Sequence, residues 1–248
     1  IVECSDTERP ELFQRVILGY GQFGVITEAT LRIRPYTPLR MHYFYYASLR
    51  TAIEDLQLLE RNDVPDYSGI LTIMDRAINL LEHMREGKMH DRTVVFSRAV
   101  WKYWGGKQMV IPDLATSAEK FVEAVERGNA VCRKYFPFYT LYCVGIRLRE
   151  DHRPHYEMSC IPPDAKGWAY GCEFEPLIGN TVYSRDTLQS FKNEIYDIGL
   201  DIGGSYYRFG GVMKGYIRRM FGDEVVDRHL AMKRAADPAM ILNRNVIF

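Results

Sequence analysis

The interpretation of the chain depends on residues 16–35, which read VILGYGQFGVITEATLRIRP. Gly19, Gly21 and Gly24 interrupt this apolar and aromatic stretch, and glycine permits a positive φ and a close approach of the backbone to a ligand. Successive free N–H groups in such a loop form an anion-binding concavity. The pattern alone leaves two interpretations open: a ligand-binding loop, or a tight turn that leads into a strand.

The residues after the loop alternate between apolar and polar, which predicts a strand over residues 25–33 with one buried face. In a Rossmann dinucleotide fold the glycines lie between a strand and a helix. Here a strand is predicted after the glycines, so the Rossmann interpretation is rejected. Pro35 and Pro38 end the predicted strand and set a boundary near residues 35–40.

The composition is that of a soluble globular protein. The chain has 248 residues, 47% of them hydrophobic and 26% charged, and Lys+Arg and Asp+Glu both number 32. A net charge of zero favours neither nucleic acid nor an anionic membrane as a partner. No apolar run approaches the ~20 residues of a membrane span. A cytoplasmic location is therefore predicted.

The cysteines and histidines predict neither a disulfide framework nor a metal site. There are five cysteines and no CxxC pair, so scattered reduced thiols are expected. His152 and His155 are close in sequence, but Pro154 between them breaks a helical face, and a solvated loop is expected. The chain begins IVECS, without Met or a signal-peptide pattern, and this apolar start predicts a strand already in progress in an incomplete chain.

The remaining periodicities predict an α+β fold, an antiparallel sheet with helices on one face. Strands are predicted at 41–47, 67–74, 92–104, 138–149, 167–177 and 203–209. Helices are predicted over 49–63 after Ser48, over 76–87, from a Thr116/Glu119 capping box to about residue 134, and after Ser184. The tail predicts two helices stopped at Asp237-Pro238, then a short extended end.

Two segments carry a family resemblance. Residues 2–35, VECSDTERPELFQRVILGYGQFGVITEATLRIRP, resemble the closing segment of the flavin-binding domain in the vanillyl-alcohol oxidase / p-cresol methylhydroxylase superfamily. The similarity is greatest to its cytokinin dehydrogenase-like branch. Residues 220–248, MFGDEVVDRHLAMKRAADPAMILNRNVIF, resemble the C-terminus of the same superfamily. The two segments occur in the family order, and the middle of the chain resembles the family by architecture and position.

The resemblance implies a two-domain FAD enzyme, of which this chain is the C-terminal part. Residues 1–36 would be the incomplete end of the FAD-binding domain, 37–205 the substrate or cap domain, and 206–248 the helices and tail that return to the FAD-binding domain. The missing N-terminal flavin-binding half would be a partner, and the chain alone is expected to be inactive. FAD would be contacted, mainly through backbone groups, by Gly21, Gln22, Phe23, Gly24, Val25 and Ile26, with Asn243 added from the tail.

The segment GGSYYRFGG holds the predicted catalytic residues, Tyr206, Tyr207 and Arg208. A Tyr-Arg pair here resembles the phenolate-binding pair of phenol-oxidising members. In such a pair, a guanidinium beside a phenol lowers the pKa of the phenol. Core packing of the tyrosines with Arg208 at the surface is the alternative. Strand alternation puts Tyr206 and Arg208 on one face and Tyr207 on the other, unless the strand is bulged.

Residues 167–177 offer a further pair of acidic side chains. Glu173 and Glu175 would share one face of the predicted strand, which also carries Trp168 and Tyr170. A paired-carboxylate base and a solvated face are both compatible with this spacing.

The functional prediction is oxidation of a small organic substrate by hydride transfer to flavin N5. The flavin supplies the chemistry and the protein positions the substrate. The alternative is a catalytically silent binding or structural module without bound flavin. A homodimer is also considered, because strand 25–33 and the tail would expose apolar surface if part of their packing were missing.

Overall fold

The structure is a computed structural model that describes residues 1–31, 33, 35, 39–62, 67–73, 76–84, 110–137, 139–148, 158–176, 183–206 and 214–244. The chain divides into two units. Unit 1 takes residues 1–34, 149–160 and 208–248, and unit 2 takes residues 35–148 and 161–207.

The described residues form six α-helices. Three belong to unit 1: α1 (Pro10–Leu18), α5 (Lys214–Phe221) and α6 (Asp223–Ala236). Three belong to unit 2: α2 (Leu49–Arg61), α3 (Phe121–Tyr135) and α4 (Arg185–Asp201). A 3₁₀ turn, Ala118–Lys120, precedes α3. None of the described helices combines the length and the apolar character needed to cross a bilayer.

Unit 2 is built on a sheet of six strands with helices packed against it, which confirms the predicted α+β class. The strands are β1 (Leu39–Tyr46), β2 (Tyr67–Ile73), β3 (Arg76–Met84), β4 (Asp113–Ser117), β5 (Tyr139–Arg147) and β6 (Trp168–Pro176). Their order across the sheet is β1-β3-β2-β5-β6-β4, and every neighbouring pair is antiparallel.

Alternation along β5 and β6 separates a helix-covered face of the sheet from a half-buried one. The helix-covered face carries Leu141, Cys143, Cys172 and Phe174, all fully or almost fully buried. Glycines let α3 and α4 approach the sheet closely. A Cβ at Gly128 would collide with the ring of Phe174 in β6, and one at Gly199 would lie 2.8 Å from the Leu114 side chain in β4. Burial of these apolar side chains drives the packing of the layers.

The same covered face also buries a polar pair. The Tyr170 hydroxyl donates to the Glu60 carboxylate, and the Tyr170 ring stacks on Phe121 with 4.1 Å between ring centroids. Burial raises the pKa of Tyr170, and the charge of Glu60 raises it further. Tyr170 is therefore a structural residue of the core.

One predicted helix is a strand. Residues 76–84 form β3, which lies between β1 and β2 in the sheet and pairs with both. The segment contains helix formers such as Leu80, Leu81 and Glu82. Ladder hydrogen bonds to two neighbours outweigh a propensity difference of about 0.7 kcal/mol per residue or less. The strand predicted over 92–104 lies outside the described residues.

The helix boundaries are partly as predicted. The side chains of Ser48 and Ser184 accept from the N–H groups of Thr51 and Thr187 at 3.4 and 3.1 Å, which confirms the predicted Ser48 cap and the predicted start of a helix after Ser184. The Thr116/Glu119 capping box is wrong, because Thr116 lies in β4 and is fully buried. Helix α3 begins after the 3₁₀ turn and has no side-chain cap.

Three predicted strands are absent from the described residues. Residues 1–5 and 25–31 form no strand, and in segment 203–209 the described part contributes only an isolated bridge between Ser205 and Ala115. A strand needs a neighbour for its backbone groups, and alternation in the sequence does not supply one. Val25 and Ile33 are 77% and 93% exposed, so the face predicted to be buried is open.

Candidate functional site

The glycine loop of unit 1 is a tight turn that follows α1. Helix α1 ends at Leu18, and the N–H of Gln22 donates to the carbonyl of Gly19 at 2.9 Å. Tyr20 and Gly21 both have positive φ, 49° and 68°. A Cβ on Gly19 would strike the carbonyl oxygen of Arg15, so this glycine is required by packing within the loop.

The tail of the chain reaches this loop through Asn243. The Asn243 side-chain amide donates to the carbonyl of Tyr20, although 223 residues separate the two in sequence. A Cβ on Gly21 would lie 2.6 Å from Asn243 Nδ2, so the close approach depends on glycine at this position. The structure therefore brings together the two segments from which FAD contacts were predicted.

The two residues after Gly21 are buried, whereas the chain is exposed from Val25 onwards. Phe23 is buried and packs edge-on against His229 of α6, with 4.8 Å between ring centroids and an interplanar angle of 78°. Gln22 is 2% exposed, and its Oε1 atom has no hydrogen-bond partner among the described residues. A buried acceptor left without a donor costs about 1–3 kcal/mol, so this atom is suited to accept from a bound group.

From Gly24 onwards the backbone of the loop is open. A Cβ on Gly24 would meet nothing within 4 Å, and the side chains of Val25 and Ile26 are exposed. Residues 24–31 form no strand, so their backbone groups take part in no described ladder. Such free N–H and C=O groups are the donors and acceptors by which a backbone loop binds a cofactor.

A buried ion pair holds the tail segment that carries Asn243. Lys233 Nζ of α6 donates to Asp237 Oδ2, and both side chains are buried. Lys233 Nζ also donates to the carbonyl of Leu242 at 2.9 Å, and the N–H of Leu242 donates to Asp237 Oδ2 at 2.8 Å. We call these three residues the tail clamp. The hydrogen bond from Lys233 holds the pKa of Asp237 below its ordinary value, helped by the backbone N–H groups of Leu242 and Ile241.

Of the three predicted catalytic residues, the structure describes Tyr206, which belongs to unit 2. Tyr206 is fully buried, its hydroxyl donates to the carbonyl of Tyr196, and the two rings pack edge-on at 4.8 Å. A phenol in this position serves the core and has no face open to a substrate. Tyr207 and Arg208 lie outside the described residues, and their role stays a prediction.

The half-buried face of the sheet in unit 2 carries the two acidic residues noted in the sequence. Glu173 and Glu175 are on β6, and the register places them opposite Tyr142 and Thr140 of β5. Thr140 Oγ1 donates to Glu175 Oε2 at 2.9 Å. These side chains share the face away from the helices, whereas Trp168 and Tyr170 are buried.

Sequence reasoning missed the tail clamp and the contact between Phe23 and His229. An i,i+4 Lys-Asp pair at the end of a helix is ordinarily a solvated surface pair, and nothing in the spacing indicates its burial. His229 lies on the periodic inner face of α6 with Val226 and Lys233. That periodicity was the available signal for its burial, but it gives no indication of Phe23 as the neighbour.

No protein-family model matches the chain. Among curated proteins it is similar to cytokinin dehydrogenase 8 of Oryza sativa subsp. indica, with 43% identity over 82 residues, which is 32% of this chain and 15% of that protein. It is also similar to cytokinin dehydrogenase 5 of Arabidopsis thaliana, with 36% identity over 61 residues, 24% of this chain and 11% of that protein. The matches therefore cover a small part of each relative.

Among solved structures the chain is similar to a xylooligosaccharide oxidase from Myceliophthora thermophila C1 in complex with xylobiose. The TM-score is 0.62 at 10% identity, and the match covers 96% of this chain and 61% of that one. At this identity the match shows a shared fold. Together with the cytokinin dehydrogenase similarity, it confirms the superfamily resemblance predicted from the two end segments.

Proposed function

We propose that this chain, as a relative of the FAD-linked oxidases and dehydrogenases of the vanillyl-alcohol oxidase / p-cresol methylhydroxylase superfamily, is the substrate-facing part of an FAD-dependent oxidoreductase. The observation that carries the proposal is the contact between Asn243 and the Tyr20 carbonyl. It joins two distant segments, and both resemble flavin-contacting segments of the family. In this proposal unit 1 closes the FAD-binding domain and unit 2 is the cap.

The residues of the loop fit a flavin. Gln22 offers a buried carbonyl oxygen without a partner among the described residues, and an N–H group of a cofactor ring would satisfy it. Gly24 offers an open backbone at which a flat ring system could lie close, and Val25 and Ile26 offer apolar side chains beside it. Asn243 holds the loop by donating a hydrogen bond to the Tyr20 carbonyl.

Bound flavin would supply a hydride acceptor, and the chain would bind and orient the cofactor and the substrate. The half-buried sheet face of unit 2 is the proposed substrate side. There Thr140 holds one oxygen of Glu175, and Glu173 lies next to Tyr142 and Asp113 in the register. A substrate with hydroxyl groups would find carboxylate acceptors on this face.

The test is to express the complete reading frame that encodes this chain and to identify the flavin released from the purified product on denaturation. We expect a yellow protein that contains FAD. A colourless product that stays colourless after incubation with FAD would contradict the proposal and favour a catalytically silent module.

A glycine substitution sharpens the test. Gly24→Ala places a methyl group in open space, so we expect unchanged stability and a lowered FAD content. Gly215→Ala also adds a methyl group in open space, but in α5, and serves as the matched control with full FAD content. Equal flavin content in both variants would show that the loop does not lie against the cofactor.

A further inference from the structure

A polar cavity lies in unit 2, on the helix side of the sheet, where α2 begins beside α3. Its volume is about 470 Å³, and its wall is made by the first turn of α2 and by one face of α3. The polar residues of the wall are Ser48, Arg50, Glu126, Asn129 and Arg133. None of these residues belongs to the flavin loop or to the half-buried face of the sheet.

The start of α2 lines the cavity with backbone donors that the helix itself does not satisfy. Ser48 Oγ accepts from the N–H of Thr51, and the N–H of Ala52 donates to the Ser48 carbonyl at 3.2 Å. The N–H groups of Leu49 and Arg50 are the remaining ones in the first turn, and these have no acceptor within a helix. The positive end of the helix dipole adds to them and favours an anion.

Helix α3 gives the cavity its side-chain charges. Glu126, Asn129 and Arg133 follow at intervals of three and four residues, so they lie on one face of the helix. Arg50 of α2 forms an ion pair with Glu126 across the gap between the helices. With two arginines and one glutamate, the wall carries a net positive charge before the helix dipole is added.

Asn129 is the observation that points to a ligand. Its side chain is 6% exposed, and its Oδ1 atom is buried without a hydrogen-bond partner among the described residues. Buried polar atoms are almost always satisfied, so an unsatisfied one calls for an explanation. An acceptor in a wall that also holds the start of α2 and two arginines fits a ligand that carries both negative charge and an O–H donor.

We propose that this cavity binds a small hydroxylated anion, with its charged oxygens at the N–H groups of Leu49 and Arg50 and its O–H donated to Asn129 Oδ1. Inorganic phosphate, phosphate monoesters with a hydroxyl on the organic part, and hydroxycarboxylates share this chemistry. Arg133 attracts the charge at the rim of the cavity. The site is distinct from the proposed flavin and substrate sites and does not depend on either.

Two matched probe pairs test the chemistry. Inorganic phosphate keeps a P–OH group at neutral pH, whereas sulfate has the same shape without one. Glycolate carries a hydroxyl beside its carboxylate, whereas acetate does not. In NMR titrations of the chain we expect saturable shifts of the Leu49 and Arg50 amides and of the Asn129 side-chain amide with phosphate or with glycolate. Sulfate and acetate should bind about tenfold more weakly, the loss expected from one missing hydrogen bond.

Variants locate the site. Asn129→Leu keeps the branched shape of the side chain and removes the acceptor, so the preference for phosphate over sulfate, or for glycolate over acetate, should disappear. Arg133→Gln, at an exposed position, should weaken all the anions. Arg127→Gln is the matched control, because Arg127 lies on the same helix but pairs with Glu123 and Asp201 away from the cavity. Its binding should equal that of the original chain.

Several outcomes would overturn the proposal. One is that sulfate binds as tightly as phosphate and acetate as tightly as glycolate. A second is that Asn129→Leu and Arg133→Gln both leave the binding of the anions unchanged. A third is that no probe gives a saturable shift of the cavity amides. If Asn129→Leu does not fold, as judged by its thermal unfolding, Arg133→Gln and the two probe pairs decide between binding of a hydroxylated anion and its absence.

Discussion

At the scale of single residues, the tail clamp ties an ionisation to the position of Asn243. Asp237 accepts from Lys233 and from the N–H of Leu242, and Asn243 is the next residue along the chain. Since the hydrogen bond from Lys233 lowers the pKa of Asp237, the ionised carboxylate stabilises the folded state. This contribution is fully present above the unfolded pKa of about 3.9 and is lost as the pH falls through the lower folded-state pKa.

Asp237→Asn should therefore destabilise the chain at neutral pH and become progressively less harmful as the solution is acidified. The variant loses the ion pair, whereas the original chain loses it only when Asp237 is protonated. Urea unfolding over a pH series measures both. A difference between the two proteins that is the same at pH 7 and below the folded-state pKa would show that the carboxylate charge is not what holds the tail.

Gly21 is a second residue whose replacement has a defined expectation. It combines a φ of 68° with a 2.6 Å gap to Asn243 Nδ2, so Gly21→Ala introduces both strain and a steric conflict. We expect a loss of stability of about 1–2 kcal/mol from the left-handed backbone alone. Gly24→Ala, in open space, should leave unfolding by urea unchanged. Equal stabilities would contradict the described loop geometry.

At the scale of elements, Gly128 sets how closely α3 approaches the sheet. Alanine is ordinarily about 1 kcal/mol better than glycine within a helix. At Gly128, however, the added Cβ would overlap the Phe174 ring of β6, and overpacking of a core costs about 1–3 kcal/mol. Gly128→Ala should therefore destabilise the chain, as measured by chemical denaturation.

Gly215 in α5 is the matched comparison for this helix. A Cβ there meets nothing within 4 Å, so only helix propensity acts and Gly215→Ala should stabilise α5. The two substitutions are chemically identical and should shift the unfolding midpoint in opposite directions. Stabilisation by both would mean that the contact between α3 and β6 can relax at no cost.

The elements also show how far the sequence predicts the fold. Strand β5 alternates along most of its length and β6 from Tyr170 onwards, and α4 has a serine cap and an apolar stripe, so each was predicted in type and place. Strand β3 was mistaken for a helix because its partners, β1 and β2, decide its conformation and are not visible in its own residues. The strand predicted over 25–33 was wrong for a different reason: its alternation was clear, but no described strand pairs with it.

The candidate site, like the fold, was predicted from the sequence only in part. The loop and Asn243 were predicted by resemblance, and the structure brings them into contact. The burial of Tyr206 agrees with the alternative that the sequence left open, because a tyrosine in the core and a tyrosine at a substrate give the same local sequence. Unpaired atoms such as Gln22 Oε1 and Asn129 Oδ1 depend on tertiary packing and cannot be read from a pattern.

At the scale of the whole molecule, unit 1 carries exposed apolar side chains along a segment without strand pairing. Val25, Ile26, Leu31, Ile33 and Ile241 are all more than half exposed. Exposed apolar surface of this kind promotes association. We expect the chain to self-associate with rising concentration, as followed by light scattering.

Replacing Leu31 and Ile33 together by serine should lower this association. Leu58→Ser is the control, because Leu58 is a single exposed apolar residue on α2 in unit 2. A chain that remains monomeric at all concentrations would contradict the prediction, as would a Leu31→Ser/Ile33→Ser double variant that associates as strongly as the original.

The contact between Asn243 and Tyr20 also sets the order in which the molecule can be assembled during translation. Unit 1 is discontinuous, and this contact spans 223 residues, so the ribosome must make nearly the whole chain before the glycine loop is completed. Residues 161–207 complete unit 2 before the last segment of unit 1 is synthesised. Prior folding of unit 2 would shorten the flexible loop that the final contact closes and lower its entropic cost. The nascent chain would thus hold a formed sheet before Asn243 can reach the glycine loop.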